Sequence, residues 1–461
     1  MGCVLTATQP PPDRHPFVAR PHHTLIALSV PVLISLVAEP ITGLVDTAFV
    51  AQLGAVPLAA LGVGTVLLSS TLWVFNFLGV GTQTEVAHAF GSGEMRAARE
   101  TSGLAMALAA LIGVAIGVLG WPLLGPLARF MGARGGVEDS ALVYLSIRLL
   151  GGPALLVSMA GFGALRGLHD MRTPLWIALA TNSLNVVLDA VLITGLGPIP
   201  GYGVAGAAWA TVASQWIGGV WTVLAVRTRL GLPDRLDFRG ARALLVVGRD
   251  LFLRTALLVI FVLLCTRAAT RIGAEAGAAH QAIRQVWLLT AFVLDAFAAS
   301  SQSLVGYFVG ARQLALARRV ARIACGWGLL TGVALTAMML LAEGVVARGL
   351  VPPSARDSFA LPWLLAAVAQ PINALSFVTD GIHWGTRDYR FLRNAMLTST
   401  GLGVAVLLAA DGAARVSLAG VWLITGLWIA LRAGFGVARL WPGSAAAPLG
   451  RDRPRRGSPA R

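Results

Sequence analysis

Long apolar runs dominate this chain, broken at intervals by short stretches of Gly, Pro and charge. A helix that crosses the hydrocarbon of a bilayer needs about 20 mostly apolar residues. Runs of that kind fall at 24–52, 58–90, 97–121, 140–166, 174–196, 203–228, 242–272, 276–310, 315–347, 358–386, 389–411 and 415–440. The breaks are helix-ending text, as in Gly197-Pro198-Ile199-Pro200-Gly201 and Val351-Pro352-Pro353. Strands of a membrane barrel would be about 10 residues long and would alternate apolar with polar. These runs do neither, so the pattern predicts an all-α polytopic membrane protein of twelve transmembrane helices.

The pattern also repeats. Ala164-Leu-Arg-Gly167-Leu-His-Asp170-Met-Arg172 aligns with Ile382-His-Trp-Gly385-Thr-Arg-Asp388-Tyr-Arg390, about 218 positions later. Val86 to Gly91 aligns with Val305 to Gly310, and Ala205-Gly206 with Thr211 aligns with Ala419-Gly420 and Thr425. Three matches in order predict two pseudo-symmetric six-helix halves. An even helix count per half makes the repeats parallel, and such transporters bind substrate where the repeats meet. The expected organisation is a disordered cytoplasmic tail over 1–23, a first bundle over 24–228, a cytoplasmic linker over 229–241, a second bundle over 242–440 and a disordered basic tail over 441–461.

Composition agrees with a membrane setting. The chain has 461 residues, 56% hydrophobic and 12% charged. A soluble chain carries about twice that charged share. The net charge of +15 comes entirely from Arg, with no Lys. The Arg residues sit between apolar runs and form no compact basic domain, which argues against a nucleic-acid partner. With the N-terminus inside, roughly 26 Arg fall in inner segments and roughly 7 in outer loops. Basic residues concentrate on the cytoplasmic side, so both termini are expected in the cytoplasm of a bacterial inner-membrane protein. Cys3, Cys265 and Cys325 are too far apart for a CxxC or Cys/His motif. The first 22 residues lack the apolar core of a cleaved signal.

Acidic residues inside the apolar runs carry the chemistry. A carboxylate at the centre of a spanning helix costs about 2.5–3.5 kcal/mol on insertion scales. Glu39, Asp46, Asp189, Asp295 and Asp380 all lie within predicted spans. No Arg lies near the middle of the first or fifth helix to pair with Asp46 or Asp189. At about 1.5 Å per residue, Asp46, Asn185, Asp189 and Thr211 all fall in the outer half of the membrane. Asn185 and Asp189 are four apart and share one helix face. Two carboxylates, an amide oxygen and a hydroxyl can ligate Na⁺ or share a proton; the alternative is a set of unrelated interhelical hydrogen bonds. Pro31 and Pro40 precede Asp46 on the first helix, as a hinge coupled to it or as a static kink.

Other polar positions are read more plainly. Asp295 and Asp380 lie near the inner ends of their helices and either pair across the second half or, as expected here, sit at the water interface. Gln281, Gln285, Gln302, Gln370 and Asn373 either line a cavity in the second half or hydrogen-bond between helices. Arg148, Arg254 and Arg284 lie toward helix ends and are expected to snorkel to headgroups. Trp73, Phe75, Phe77 and Trp287 could stack on a flat cation, although helix packing is the commoner role. No Walker A, GxSxG, HExxH or dinucleotide fingerprint appears. The chain is therefore not expected to be an enzyme or to hold a cofactor, and an ion gradient must supply the energy.

At these residues the chain resembles the multidrug and toxic compound extrusion (MATE) family, and within it the branch named for DNA-damage-inducible protein F. The matching text is Glu39-Pro40-Ile-Thr-Gly-Leu-Val-Asp46-Thr-Ala-Phe-Val with Leu53-Gly54, then Leu165-Arg166-Gly167-Leu-His-Asp170-Met-Arg172-Thr173-Pro174, then Asn185-Val-Val-Leu-Asp189. Gly206-Ala-Ala-Trp-Ala-Thr211, Ala279-His280-Gln281, Leu294-Asp295, Asp380-Gly381 and Arg393-Asn394-Ala395-Met396 follow in order. The resemblance implies twelve helices in two six-helix bundles around a central cleft, antiport of H⁺ or Na⁺ against drugs, and a cation site at Asp46, Asn185, Asp189 and Thr211. It also implies that Pro31 is the bending proline. The chain departs from the Na⁺-coupled branch in having no acidic residue over 251–273, and Gln302 stands where this branch often has a carboxylate. Both departures favour coupling through the first half.

The expected function is export of small organic molecules, cationic or amphipathic, by a monomer in a lipid bilayer, with H⁺ or Na⁺ as the coupling ion. A lipid-linked oligosaccharide flippase is the nearest rival. It should carry Arg inside the membrane to hold an anionic headgroup, whereas Arg is read here as avoiding the middle. A membrane-embedded enzyme or scaffold is a rival of another class, for which Asp295 with Asp380 is the faint candidate.

Overall fold

The computed structural model describes residues 12–231, 233, 241–412, 417–440 and 447–450. The long helices are α1 (Pro21–Ala51), α2 (Ala55–Trp73), α3 (Phe77–Ser92), α4 (Met95–Gly120), α5 (Gly136–Leu149), α6 (Gly152–Gly167), α7 (Arg172–Leu192) and α8 (Val204–Leu230). They continue as α9 (Ala241–Ile272), α10 (Ala274–Gly310), α11 (Leu314–Leu350), α12 (Ala360–Val368), α13 (Gln370–Gly385), α14 (Tyr389–Gly412) and α15 (Leu418–Leu440). Among the described residues, nine helices are long and apolar enough to cross a membrane, or up to eleven when two bent pairs each count as one span. The remaining predicted segment forms α8, which is long enough; Gln215 and its tryptophans lower its apolarity. The linker residues 232 and 234–240, most of 441–461, Arg415 and the side chain of Trp73 lie outside the described residues.

Apolar side chains face outward as well as inward. Leu44 is 71% exposed, Val118 67% and Leu341 86%. In water such surfaces would drive association, and in lipid they are solvated. With no hydrophobic force between helices in lipid, close packing of small residues holds the bundle.

The chain forms two compact units. One runs Ala27–Phe252; the other takes Leu253 onward together with the segment ending at Ile26. The division falls within α1 and within α9, and not in the connecting loop. The N-terminal segment differs from the disordered tail expected through residue 23. Pro16–Ala19 is a short helix, and α1 already begins at Pro21. His15 caps the short helix, its Nδ1 accepting from the Phe17 N–H at 3.1 Å. Its ring packs on Tyr307 at 4.9 Å and Phe308 at 5.2 Å between centroids.

The internal repeat reappears in the packing. In the first unit α6 packs on α3 and α4; in the second α13 packs on α10 and α11. The pair α5–α6 bends by 47° and the pair α12–α13 by 43°. Gly167 lies so close to α3 that a Cβ would meet the Gln83 carbonyl at 2.8 Å and Val86 Cβ at 2.8 Å. Gly385 repeats this against the Gln302 carbonyl at 2.7 Å and Val305 Cβ at 3.0 Å. Elsewhere the repeat swaps its parts: Gly161 receives the Thr222 methyl in the first unit, whereas Thr379 fits against Gly436 in the second.

The turn after α13 is tied electrostatically. Arg439 Nε donates to Asp388 Oδ2 at 2.9 Å, and His383 Nδ1 lies 3.6 Å from the same oxygen. Burial alone would push the Asp388 carboxyl up, but His383 and Arg439 outweigh it and hold it below the usual range. In the first unit Asp170, the match of Asp388, pairs with Arg229 at 3.2 Å.

Candidate cation site and its relatives

The first unit gathers its polar groups on three helices. Ser35, Glu39, Thr42 and Asp46 recur at helical spacing and mark one face of α1. Both prolines of α1 lie inside a continuous helix. Each lacks the N–H that would bond to the carbonyl four residues back. Ser35 Oγ turns back to donate to the Pro31 carbonyl at 3.0 Å and the Val32 carbonyl at 2.9 Å.

α7 supplies Asn185, 3% exposed, and Asp189, fully buried. α8 supplies Thr211, which close approach brings near: a Cβ on Gly206 would strike the backbone of Leu192 and Ile193. The Asn185 amide bridges the other two helices. Its Nδ2 donates to Asp46 Oδ1 at 3.2 Å, and its Oδ1 accepts from the Thr211 N–H at 3.2 Å. The Asp46 and Asp189 carboxyls lie within reach of each other. Two ionised carboxylates have no donor between them, so a hydrogen bond between the two would need a proton on one. As an anion Asp189 would have both oxygens buried without a donor. The four predicted residues therefore do come together, from α1, α7 and α8.

A fifth residue, expected from the sequence to snorkel, turns inward instead. Arg148 of α5 donates from Nη1 to Gln215 Oε1 at 3.0 Å, and its guanidinium lies 6.0 Å from the Tyr144 ring centre. Its charge acts on Glu39, Asp46 and Asp189 together. Its buried Nε has no acceptor. Gln215 lies one turn after Thr211 on α8, and the absent Cβ of Gly151 makes room for its amide. The sequence does hold a signal for Arg148. It stands about 12 Å into its span at 1.5 Å per residue, further than a snorkelling side chain prefers. Glu39 is exposed and lies on the Asp46 face of α1.

The second unit places its polar residues differently. Asp380 is 8% exposed and is not at a water interface. Arg432 Nη2 donates to its Oδ2 at 2.8 Å, and Arg254 Nη2 donates to the same oxygen. Arg254 is thus a buried partner and not a headgroup contact. Asp295 is half-buried, and Gln302 is buried at 1% exposure. Both engage other groups. Gln281 is exposed and accepts from Arg284 Nε at 3.1 Å. Gln370 and Asn373 are fully buried at the bend between α12 and α13. Phe75 and Phe77 pack on each other at 5.9 Å, and Trp287 packs into the second unit's core. Packing is their role here.

The repeat makes the contrast between halves explicit. The positions matching Asn185 and Asp189 are Gly403 and Leu407. The Phe261 ring fills the space beside Gly403, where a Cβ would meet it at 2.8 Å. That ring stacks on Trp428 with centroids 4.5 Å apart. An aromatic plug therefore occupies the second unit where the first has carboxylates.

Apolar spans in a repeated bundle, with a carboxyl pair inside one half, define a secondary transporter of the α-helical membrane class. The comparisons make this specific: the chain belongs to the MatE family, whose sequence profile matches residues 31–191 and 251–410. It is a multidrug and toxic-compound antiporter of that family and not an enzyme. It is similar to Protein DETOXIFICATION 44, chloroplastic, of Arabidopsis thaliana, 30% identical over 95% of this chain and 86% of that one. It is also similar to DNA damage-inducible protein F of Escherichia coli (strain K12), 28% identical over 92% of this chain and 93% of that one. Among solved structures, the outward-facing conformation of a multidrug resistance MATE family transporter superposes with a TM-score of 0.82 at 23% identity, covering 91% of this chain and 96% of that one.

Proposed function

We propose that the chain exports small organic molecules, cationic or amphipathic, in exchange for H⁺ or Na⁺ that loads at Asp46, Asn185, Asp189 and Thr211. The observation that carries this reading is that Asp46 and Asp189 lie together inside an apolar bundle, with Asn185 donating to Asp46 and tied to Thr211. Within that pair, H⁺ is favoured over Na⁺. A hydrogen bond between two carboxyls needs a proton on one of them, and H⁺ meets that need where Na⁺ does not. Loading neutralises the α1 face at Asp46 and changes how that face packs on α7. Pro31 and Pro40, where α1 lacks backbone bonds, are where the helix yields. Alternating access follows from two α1 shapes of similar energy, biased by the cation.

The expected setting is a bacterial inner membrane with both termini cytoplasmic, which the Arg distribution supports. The same reading takes the chain as a monomer of two six-helix halves from the DNA-damage-inducible protein F branch, which the likeness to the Escherichia coli protein supports. The test is efflux from proteoliposomes under an imposed pH or Na⁺ gradient. Asp46→Asn, nearly the same shape, should lower gradient-driven efflux at least tenfold while the chain still inserts and folds. Normal efflux by that variant would remove the proposal, and a collapse of efflux by a proton ionophore without Na⁺ present would identify the ion.

A further inference from the structure

The second unit buries a charge cluster for which the first has no counterpart. Arg254 of α9, Asp380 of α13 and Arg432 of α15 are 9%, 8% and 5% exposed. Both guanidiniums donate to one carboxylate oxygen, Asp380 Oδ2. Arg254 lies over the Trp384 ring at 5.1 Å, and Arg432 over the Trp428 ring at 4.6 Å. Two cations share one anion, so the cluster keeps one positive charge in surplus. The Nε–H of each Arg is buried and has no acceptor.

Two neighbouring acids among the described residues are engaged by other cations. Asp250, one turn earlier on α9, is paired with Arg249 at 3.1 Å. Asp388 is taken by Arg439 and faces His383. Nor does the scaffold require these charges. In the repeat, Asp380 corresponds to Phe162 and Arg432 to Gly218, and α1, which stands where α9 stands in the second half, contains no Arg. The first half folds in the same pattern without any of the three. Unbalanced buried charge is costly and in membrane helices marks a ligand path. The unpaired Nε–H of each guanidinium, beside the Nη2 that holds Asp380, is the kind of donor that grips carboxylate and phosphate oxygens.

We propose that this cluster is a subsite for the anionic group of a transported organic molecule, a carboxylate or an equivalent oxyanion. The inference rests on the antiport reading for its role in transport and adds the charge of the substrate. Asp380 then serves as a stand-in anion that keeps the empty site intact and yields one guanidinium edge when substrate arrives.

The test uses the purified full chain in nanodiscs and two matched probes, a rhodamine with a free carboxylate and its ethyl ester. The wild-type chain should bind the acid at least fivefold more tightly than the ester by fluorescence anisotropy. Arg432→Gln should shrink that preference to near unity. Equal or weaker binding of the acid by the wild type overturns the proposal whatever the variants do. So does an unchanged preference in Arg432→Gln. If that variant does not fold, Arg432→Lys keeps the charge and loses the fork; its preference should fall below wild type, and a full wild-type preference overturns the assignment. A lipid phosphate could occupy the same chemistry, so the titration is repeated with rising phosphatidylglycerol. Loss of the acid preference there would give the subsite to a headgroup and overturn its assignment to substrate. Binding is read without a gradient, so its failure is separate from failure of gradient-driven efflux.

Discussion

Arg148 shows how one side chain changes the meaning of its neighbours. From the sequence, Asp46 and Asp189 have no basic partner on their own helices. In the fold, a guanidinium from α5 reaches into the same space, held by Gln215. Its positive charge repels any cation that arrives at the pair. Arg148→Gln should therefore hold the cation more tightly and release it more slowly, lowering the maximal efflux rate severalfold. Flux measured against cation concentration checks this, and an unchanged half-saturation point would contradict it. His15 gives a second expectation, outside the spanning helices. Burial pushes its imidazole down from 6.5 to about 4. The folded state thus prefers the neutral ring, and its contribution is complete above about pH 6.5. That contribution is lost as pH falls through about 4. Hydrogen exchange at the amides of 17–20, corrected for intrinsic rate, should show weakening protection over that window. His15→Ala should remove the pH dependence.

Helix contacts here depend on what glycine leaves out. A Cβ on Gly163 would collide with the backbone of Gly79, and one on Gly381 with the backbone of Ala298. Backbone cannot rotate aside as a side chain can, so Gly163→Ala and Gly381→Ala should each cost about 1–3 kcal/mol. At Gly434 of α15 an added Cβ would meet nothing within 4 Å, so Gly434→Ala should be neutral or slightly stabilising. Unfolding midpoints of the three variants in one detergent separate these outcomes. The spans were legible at this scale because hydrophobicity is a local property. The bends at Leu150-Gly151 and at Ala369 were not, because residues 140–166 and 358–386 read as single runs.

Across the whole molecule, one fold is used twice with opposite chemistry. The first unit holds a carboxyl pair, Asp189 buried and Asp46 half-buried; the matching place in the second holds Leu407, Gly403 and the Phe261–Trp428 stack. The second unit buries surplus positive charge where the first has Phe162 and Gly218. If coupling belongs to the first unit alone, Asp46→Asn combined with Asp189→Asn should be no worse than either change singly, because the two act as one group. Residual gradient-driven efflux above about a tenth of wild type in the double variant would demand a second site.

Local text determined the spans, the repeat and the identity of the four residues that meet near Asp46. Spacing along one helix fixes which side chains share a face, and apolar length fixes which segments enter lipid; both need only neighbours in the chain. Tertiary structure decided where each arginine points. Arg148, Arg254 and Arg432 look alike in the sequence, as cations inside apolar runs. Their partners are Gln215 and Asp380, 52 to 126 residues away. The rotation of each helix about its own axis selects those partners, and that rotation is set by packing against other helices rather than by any residue nearby in the chain.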